Sequence, residues 1–210
     1  MNLPKFIFVH ILKTGGTTFR HNILEKFYKE RYLYDGTFKV RNKKVNKRLK
    51  DEKKPVIDFS LNNFPPNYKN ALAIFGHFRI EKYEHLNLPF VTFLRDPIER
   101  IISLYFYHKH LYNNITVREI AKMYENHMTY ILGSDLKRLE FIGILEHYNE
   151  SIEKFCRHFG IAVPERISKK RVSRNKKKIS KEDKRYIRSL NEEDYKLYNK
   201  ALEIFHSIKR

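Results

Sequence analysis

With 210 residues the chain is long enough to bury one genuine core, so a single domain over 1–210 is expected. A hydrophobic content of 41%, rich in Phe and Tyr, excludes compositional disorder. The formal charge of +19 calls for an anionic partner: nucleic acid, an acidic polysaccharide, a phosphorylated cofactor or an anionic membrane surface.

Phe6–Ile11 is a continuous apolar run, the pattern of a strand buried on both faces. No basic segment precedes it as in a secretion leader, and with Met1 as the start a cytoplasmic protein is expected. Lys13, Thr14, Gly15, Gly16, Thr17 and Thr18 follow, and from Thr17 to Glu30 the apolar residues Phe19, Ile23, Leu24 and Phe27 take helical spacing. Strand, glycine turn and helix in that order begin an α/β unit. Lys39 to Lys54 is dominated by Lys and Arg, either as a solvated loop or as an electropositive rim for an acidic substrate.

Ala71–Phe78 reads as a second buried strand, ending at Gly76-His77, and Pro89–Leu94 as a third, ending at Arg95. Asp96 fits an N-cap, Pro97 the first helical position and Glu99 the third position of a capping box, for a helix to about Leu111. Thr116 and Glu119 form a second capping box opening a helix to about Leu132. Leu139–Leu145 is a further strand, Ser151–Phe159 a helix stopped by Gly160, and Arg166–Arg188 a second basic stretch. The last helix runs from about Glu192 to His206, capped by Asn191. Cys156, the only cysteine, can form neither an intrachain disulfide nor a cysteine-based metal site. No apolar run approaches the roughly 20 residues of a membrane span.

Strands alternating with helices predict an α/β three-layer sandwich around a central parallel sheet. In such sheets ligands bind beyond the carboxyl ends of the strands. Three of those ends carry reactive residues: the loop at Lys13–Gly16, Gly76-His77 and Arg95-Asp96. The glycine loop can bring N–H groups, a helix N-terminus, threonine hydroxyls and the Lys13 ammonium to one anion. Its spacing is not the G-x-x-x-x-G-K-[ST] of a nucleotide P-loop. Arg95, with Arg100 and Ser103 on one face of the following helix, suggests a second phosphate site. His77 is the leading general base, at a strand end after a glycine and with an ordinary pKa near 6.5; His10 and Glu81 are lesser candidates. Tyr105, Phe106 and Tyr107 suit either core packing or stacking on a base or sugar.

Four stretches, "HILKTGGTTF", "FLRDPIERIISLY", "FIGILEHYNESIEKF" and "NEEDYKLYNKALEIF", resemble in order the carbohydrate sulfotransferases that use 3′-phosphoadenosine 5′-phosphosulfate (PAPS). The likeness is strongest to the heparan sulfate 2-O-sulfotransferase group and small bacterial relatives, and runs from about residue 6 to 206. It implies a P-loop-like PAPS-binding fold and sulfuryl transfer from PAPS to a carbohydrate hydroxyl. By the same resemblance Lys13, Thr14, Gly15, Gly16, Thr17 and Thr18 grip the 5′-phosphosulfate, and Arg95 and Ser103 hold the 3′-phosphate. A basic segment that closes over the nucleotide in the family has its counterpart at Lys169–Lys178, with Arg174 the contact, and the histidine base corresponds to His77. Leu12 stands where the family commonly has proline.

A sulfuryl group carries less charge than a phosphoryl group, so no metal is expected, and the sequence offers no carboxylate cluster for Mg²⁺. The expected partner is a glycan acceptor, the basic loops suiting an acidic one such as a uronate-containing chain, with no nucleic acid involved. A small nucleotide kinase and a basic nucleic-acid-binding protein are the alternatives. The missing P-loop spacing opposes the first, and the lack of any helix-turn-helix, RNA-recognition or zinc signature opposes the second.

Overall fold

The computed structural model describes residues 3–35, 63–109, 114–167 and 178–207. Five strands, β1 (Phe6–Val9), β2 (Tyr32–Asp35), β3 (Ala73–Gly76), β4 (Phe90–Leu94) and β5 (Leu139–Ile144), form one sheet in the order β2-β3-β1-β4-β5. Every pairing is parallel. Alternate residues supply the two faces. Ile7, Val9, Ile74, Leu94 and Ile142 pack with Met128 and Ile131 of α4 (His127–Leu132) and with Leu197, Ala201 and Phe205 of α7 (Glu192–Ser207). On the other face Phe6, Phe8, Phe75, Val91 and Phe93 meet Phe19, Ile23 and Leu24, together with Ile152 and Phe155 of α5 (Tyr148–His158). Each such fully buried side chain contributes about 1.5–3 kcal/mol, which makes the two faces of the sheet the main source of stability. Helices on both faces of a parallel sheet give the expected three layers.

A separate helical cluster stands beside the sheet. Ile101 and Leu104 of α2 (Pro97–Lys109), Ile120 and Ala121 of α3 (Val117–Met123) and Ile187 of α6 (Lys181–Ser189) form its core. No helix among the described residues is long and apolar enough to cross a membrane.

Several elements depart from expectation for identifiable reasons. The helix after the glycine turn is α-helical only over α1 (Gly16–Phe19) and continues as a π-helix, Arg20–Tyr28. There the buried Asn22 side chain donates to the Thr18 carbonyl at 3.0 Å. Strand β2 and helix α6 were not anticipated. The first is a four-residue edge strand, and the second lies in the basic stretch, where Ser180 caps it by accepting from Asp183 N at 3.0 Å. The expected single helix 116–132 is two, broken at Asn126, whose φ of 44° is left-handed. Asn126 Oδ1 accepts from the N–H groups of Glu193 and Asp194 at 3.0 and 3.2 Å, taking the capping role expected of Asn191. Asp194 returns the contact, accepting from Met128 N and Thr129 N at 3.1 and 2.8 Å, so α4 and α7 cap each other. Asn191 instead donates to Ile187 O and accepts from Asn126 N. The basic loop Lys39–Lys54 and Arg174 lie outside the described residues.

Candidate active site

Because β1 lies between β3 and β4, the carboxyl ends of these three strands adjoin. The loop after β1, His77 after β3 and Arg95 after β4 therefore converge on one crevice, as the sequence requires for a common site.

The glycine loop is built by steric demands. Lys13 at φ 68° and Gly15 at φ 95° turn the chain through left-handed conformations. A side chain on Gly15 would press on Leu145, and one on Gly16 would overlap the His10 imidazole. Thr14 is buried, and its hydroxyl donates to the Ile11 carbonyl at 2.9 Å, which locks the turn. Gly15 O accepts from Thr18 N and Phe19 N at 2.9 and 3.0 Å, starting the helix. The N–H groups of Gly16 and Thr17 then belong to the helix start and have no intrahelical acceptor, the usual basis of an anion cradle. Thr17 is half-buried and Thr18 buried beside them. The Lys13 ammonium lies 4.9 Å from the centroid of the exposed Tyr107 ring on α2, so the loop and α2 face the same space.

His77 follows β3 directly and is buried. Its Nδ1 lies 2.7 Å from the His10 carbonyl, which can only accept, so Nδ1 carries the proton and Nε2 the lone pair of the neutral ring. The two imidazoles stack at 4.3 Å and 28°, with Phe75 against His10 at 4.9 Å. Burial pushes His77 down to about 4, opposed by the His10 carbonyl bond and by Asp35. Burial also drives His10 well below its ordinary value, with His77, Arg20 and Lys13 adding to the shift. Both rings are therefore neutral near pH 7. His10 Nδ1 is buried without a partner among the described residues, while the lesser base candidate Glu81 is engaged by Arg79 at 3.1 Å.

Arg95 is a half-buried cation, its side chain 16% exposed, with sparse hydrogen bonding. Among the described residues it makes one hydrogen bond, to Lys13 O at 3.3 Å, its ion pairs to Glu99 and Glu146 are stretched to 3.7 and 3.9 Å, and its buried Nε has no hydrogen-bond partner. Burial lowers its pKa, which Glu146 and Glu99 partly offset. Ser103 is buried on α2, with no hydrogen-bond partner for its hydroxyl among the described residues. Arg100, placed with Ser103 by helical periodicity, is wholly buried and pairs with Asp194 at 3.4 Å and with Tyr124 O at 3.2 Å. It joins the helical layer and is not a phosphate ligand.

Two groups at strand ends, and a tyrosine on α7 that holds one of them, were not anticipated from the sequence. Asp35 ends β2 and accepts from Lys82 Nζ at 2.7 Å and Tyr83 Oη at 2.8 Å, while its carbonyl accepts from His77 N at 3.1 Å. Glu146 follows β5 and accepts from Asp96 N at 3.2 Å and from Tyr198 Oη at 3.0 Å. The strand-end rule that singled out His77 and Arg95 also points to Asp35 and Glu146, but no sequence signal pairs Tyr198 with either.

A parallel α/β sheet thus carries a glycine loop, a buried histidine and a half-buried arginine at its carboxyl edge, an arrangement suited to an anionic ligand. The family model described as "Sulfotransferase family" matches residues 3–161, so the chain belongs to the sulfotransferase family. Among solved structures it is similar to a sulfotransferase from Alicyclobacillus acidocaldarius, with a TM-score of 0.51 and 10% identity over 98% of this chain and 100% of that one. No curated protein matches the chain in sequence. Membership establishes a transferase of the sulfotransferase class.

Proposed function

We propose that the protein transfers a sulfuryl group from PAPS to a hydroxyl of a carbohydrate acceptor, with His77 as general base. One junction carries this reading: His10 holds His77 Nδ1 through its carbonyl and packs its ring over Gly16, joining base and anion loop through a single residue. Two features fit PAPS. The loop has no room for a Cβ at Gly16, and the half-buried Arg95 has a buried Nε with no hydrogen-bond partner among the described residues.

When bound, PAPS supplies an activated sulfuryl group on a phosphate leaving group. The loop Lys13–Thr18 would hold the 5′-phosphosulfate through N–H groups and the lysine, with Thr14 contributing its backbone because its hydroxyl is committed to Ile11. Arg95 and Ser103 would hold the 3′-phosphate, and Arg174 would close over the nucleotide. His77 Nε2 accepts the proton of the acceptor hydroxyl. Its pKa near 4 belongs to the ligand-free crevice, and added negative charge raises it toward the working pH. The Lys13 ammonium stabilises the charge that develops on the leaving phosphate. The +19 balance suits an acidic glycan such as a uronate-containing chain.

The test is calorimetry with adenosine 3′,5′-bisphosphate and ATP–Mg²⁺, followed by labelled-PAPS transfer to a panel of desalted glycans. Tight bisphosphate binding without metal and label on a glycan are expected; preference for ATP–Mg²⁺ overturns the reading.

A further inference from the structure

The Arg95 corner raises a question of its own. A carboxylate and a guanidinium this close normally close into a two-pronged pair at about 2.7–2.9 Å. Glu146 stays 3.9 Å from Arg95 Nε. Both of its oxygens are already committed: Oε1 accepts from Asp96 N at 3.2 Å and Oε2 from Tyr198 Oη at 3.0 Å. Tyr198 is fixed in turn, buried on α7 against the sheet. Its neighbour one turn earlier, Tyr195, donates to Asp96 Oδ2 at 3.3 Å, with the Arg188 guanidinium 4.4 Å from the Tyr195 ring centroid. Burial and Glu146 raise the Tyr198 phenol, so it is a permanent donor.

We propose that Tyr198 is a positioning residue for anion recognition: by holding Glu146 Oε2, it keeps Glu146 from closing onto Arg95 and so leaves the guanidinium open to the 3′-phosphate of the nucleotide. The carboxylate then acts as a restrained neighbour that orients Arg95 without neutralising it. Loss of the Tyr198 hydroxyl frees Oε2 to swing into the arginine fork, and the phosphate must then displace an internal ion pair. Replacing Glu146 with glutamine removes the competitor, so the tyrosine no longer matters. This inference rests on the PAPS reading above.

The experiment measures binding of adenosine 3′,5′-bisphosphate and of adenosine 5′-monophosphate by calorimetry, and reads the ratio of the two affinities. Wild type favours the bisphosphate. Tyr198→Phe lowers the ratio by about tenfold, the worth of one charge-assisted hydrogen bond, by weakening the bisphosphate alone. Glu146→Gln keeps or raises the ratio, and the double variant returns it to within about twofold of wild type. A purely structural role for Tyr198 would weaken both nucleotides together and would not be rescued by Glu146→Gln. Unchanged preference in Tyr198→Phe, or no rescue in the double variant, overturns the proposal. A wild type without preference for the bisphosphate overturns instead the assignment of the 3′-phosphate to Arg95.

Discussion

Acidification from about pH 7.5 to about pH 5 should destabilise the fold by several kcal/mol, because four histidines are buried and uncharged. His10, His77, His108 and His127 are each no more than 7% exposed, and burial lowers all four. For His77 and His108 the folded-state values are about 4. Between those values and the unfolded pKa near 6.5, the unfolded chain binds protons that the native state refuses, so stability rises with pH across this window. It is fully present above about pH 6.5 and is lost as pH falls toward 4. At pH 5 each of the two costs about 2 kcal/mol, together about 4, a large part of a typical 5–15 kcal/mol. His10 and His127 add to this in the same direction. The assay is urea unfolding across the window, with a constant m-value as the check on two-state behaviour. High salt separates this effect from repulsion within a chain of net charge +19, because salt screens surface charge and leaves desolvation untouched. His108→Gln, which can keep the 2.9 Å contact with Tyr124 Oη, should shrink the difference by about 2 kcal/mol. Flat stability between pH 7.5 and 5, or an unreduced loss in His108→Gln, would refute the reasoning.

His77→Ala should reduce transfer by about 10²–10⁴-fold while bisphosphate affinity stays near wild type; undiminished turnover removes His77 from the base role. Arg95→Ala should weaken bisphosphate by about 1.5–3 kcal/mol, measured by calorimetry, and unchanged affinity would place the 3′-phosphate elsewhere. Gly16→Ala forces a methyl into the His10 ring; a loss of about 1–3 kcal/mol in urea unfolding is expected, together with weaker bisphosphate binding. Asp194→Asn leaves Arg100 buried without its counter-charge and should cost about 3–5 kcal/mol, checked by the same unfolding assay.

Four of the five strands were legible because they are largely buried on both faces, and a run such as Phe6–Val9 has no competing helical reading once a glycine turn follows it. The convergence of His77 and Arg95 on the glycine loop followed from the strand-end rule and needed only the placement of β1 between β3 and β4. Long-range partnerships were not legible. Periodicity put Arg100 beside Ser103 on α2 correctly, yet Asp194, distant in sequence and arriving from α7, decides that Arg100 is structural. The break at Asn126 was hidden for the same reason: its left-handed turn is held by N–H groups of α7. Strand β2 is four residues long and its burial is supplied by neighbours, so local pattern carries little of it.

These long-range partnerships share one source, and it bears on which parts of the chain make the site. The family match ends at Ile161, and α7 lies beyond it. That helix nevertheless supplies Asp194 to Arg100, and Tyr195 and Tyr198 to the Asp96–Glu146 corner beside Arg95. Reciprocal capping with α4 fixes its register, so Tyr195 and Tyr198, one and four residues after Asp194, face that corner on successive turns. The glycine loop and the histidine pair belong to the matched segment, whereas the geometry around the arginine is completed from outside it. A chain cut after Ile161 would keep the glycine loop, His77 and Arg95 in its sequence but lose the Tyr198 hydroxyl that holds Glu146. The final helix is therefore part of the site's architecture, acting through the corner it holds open.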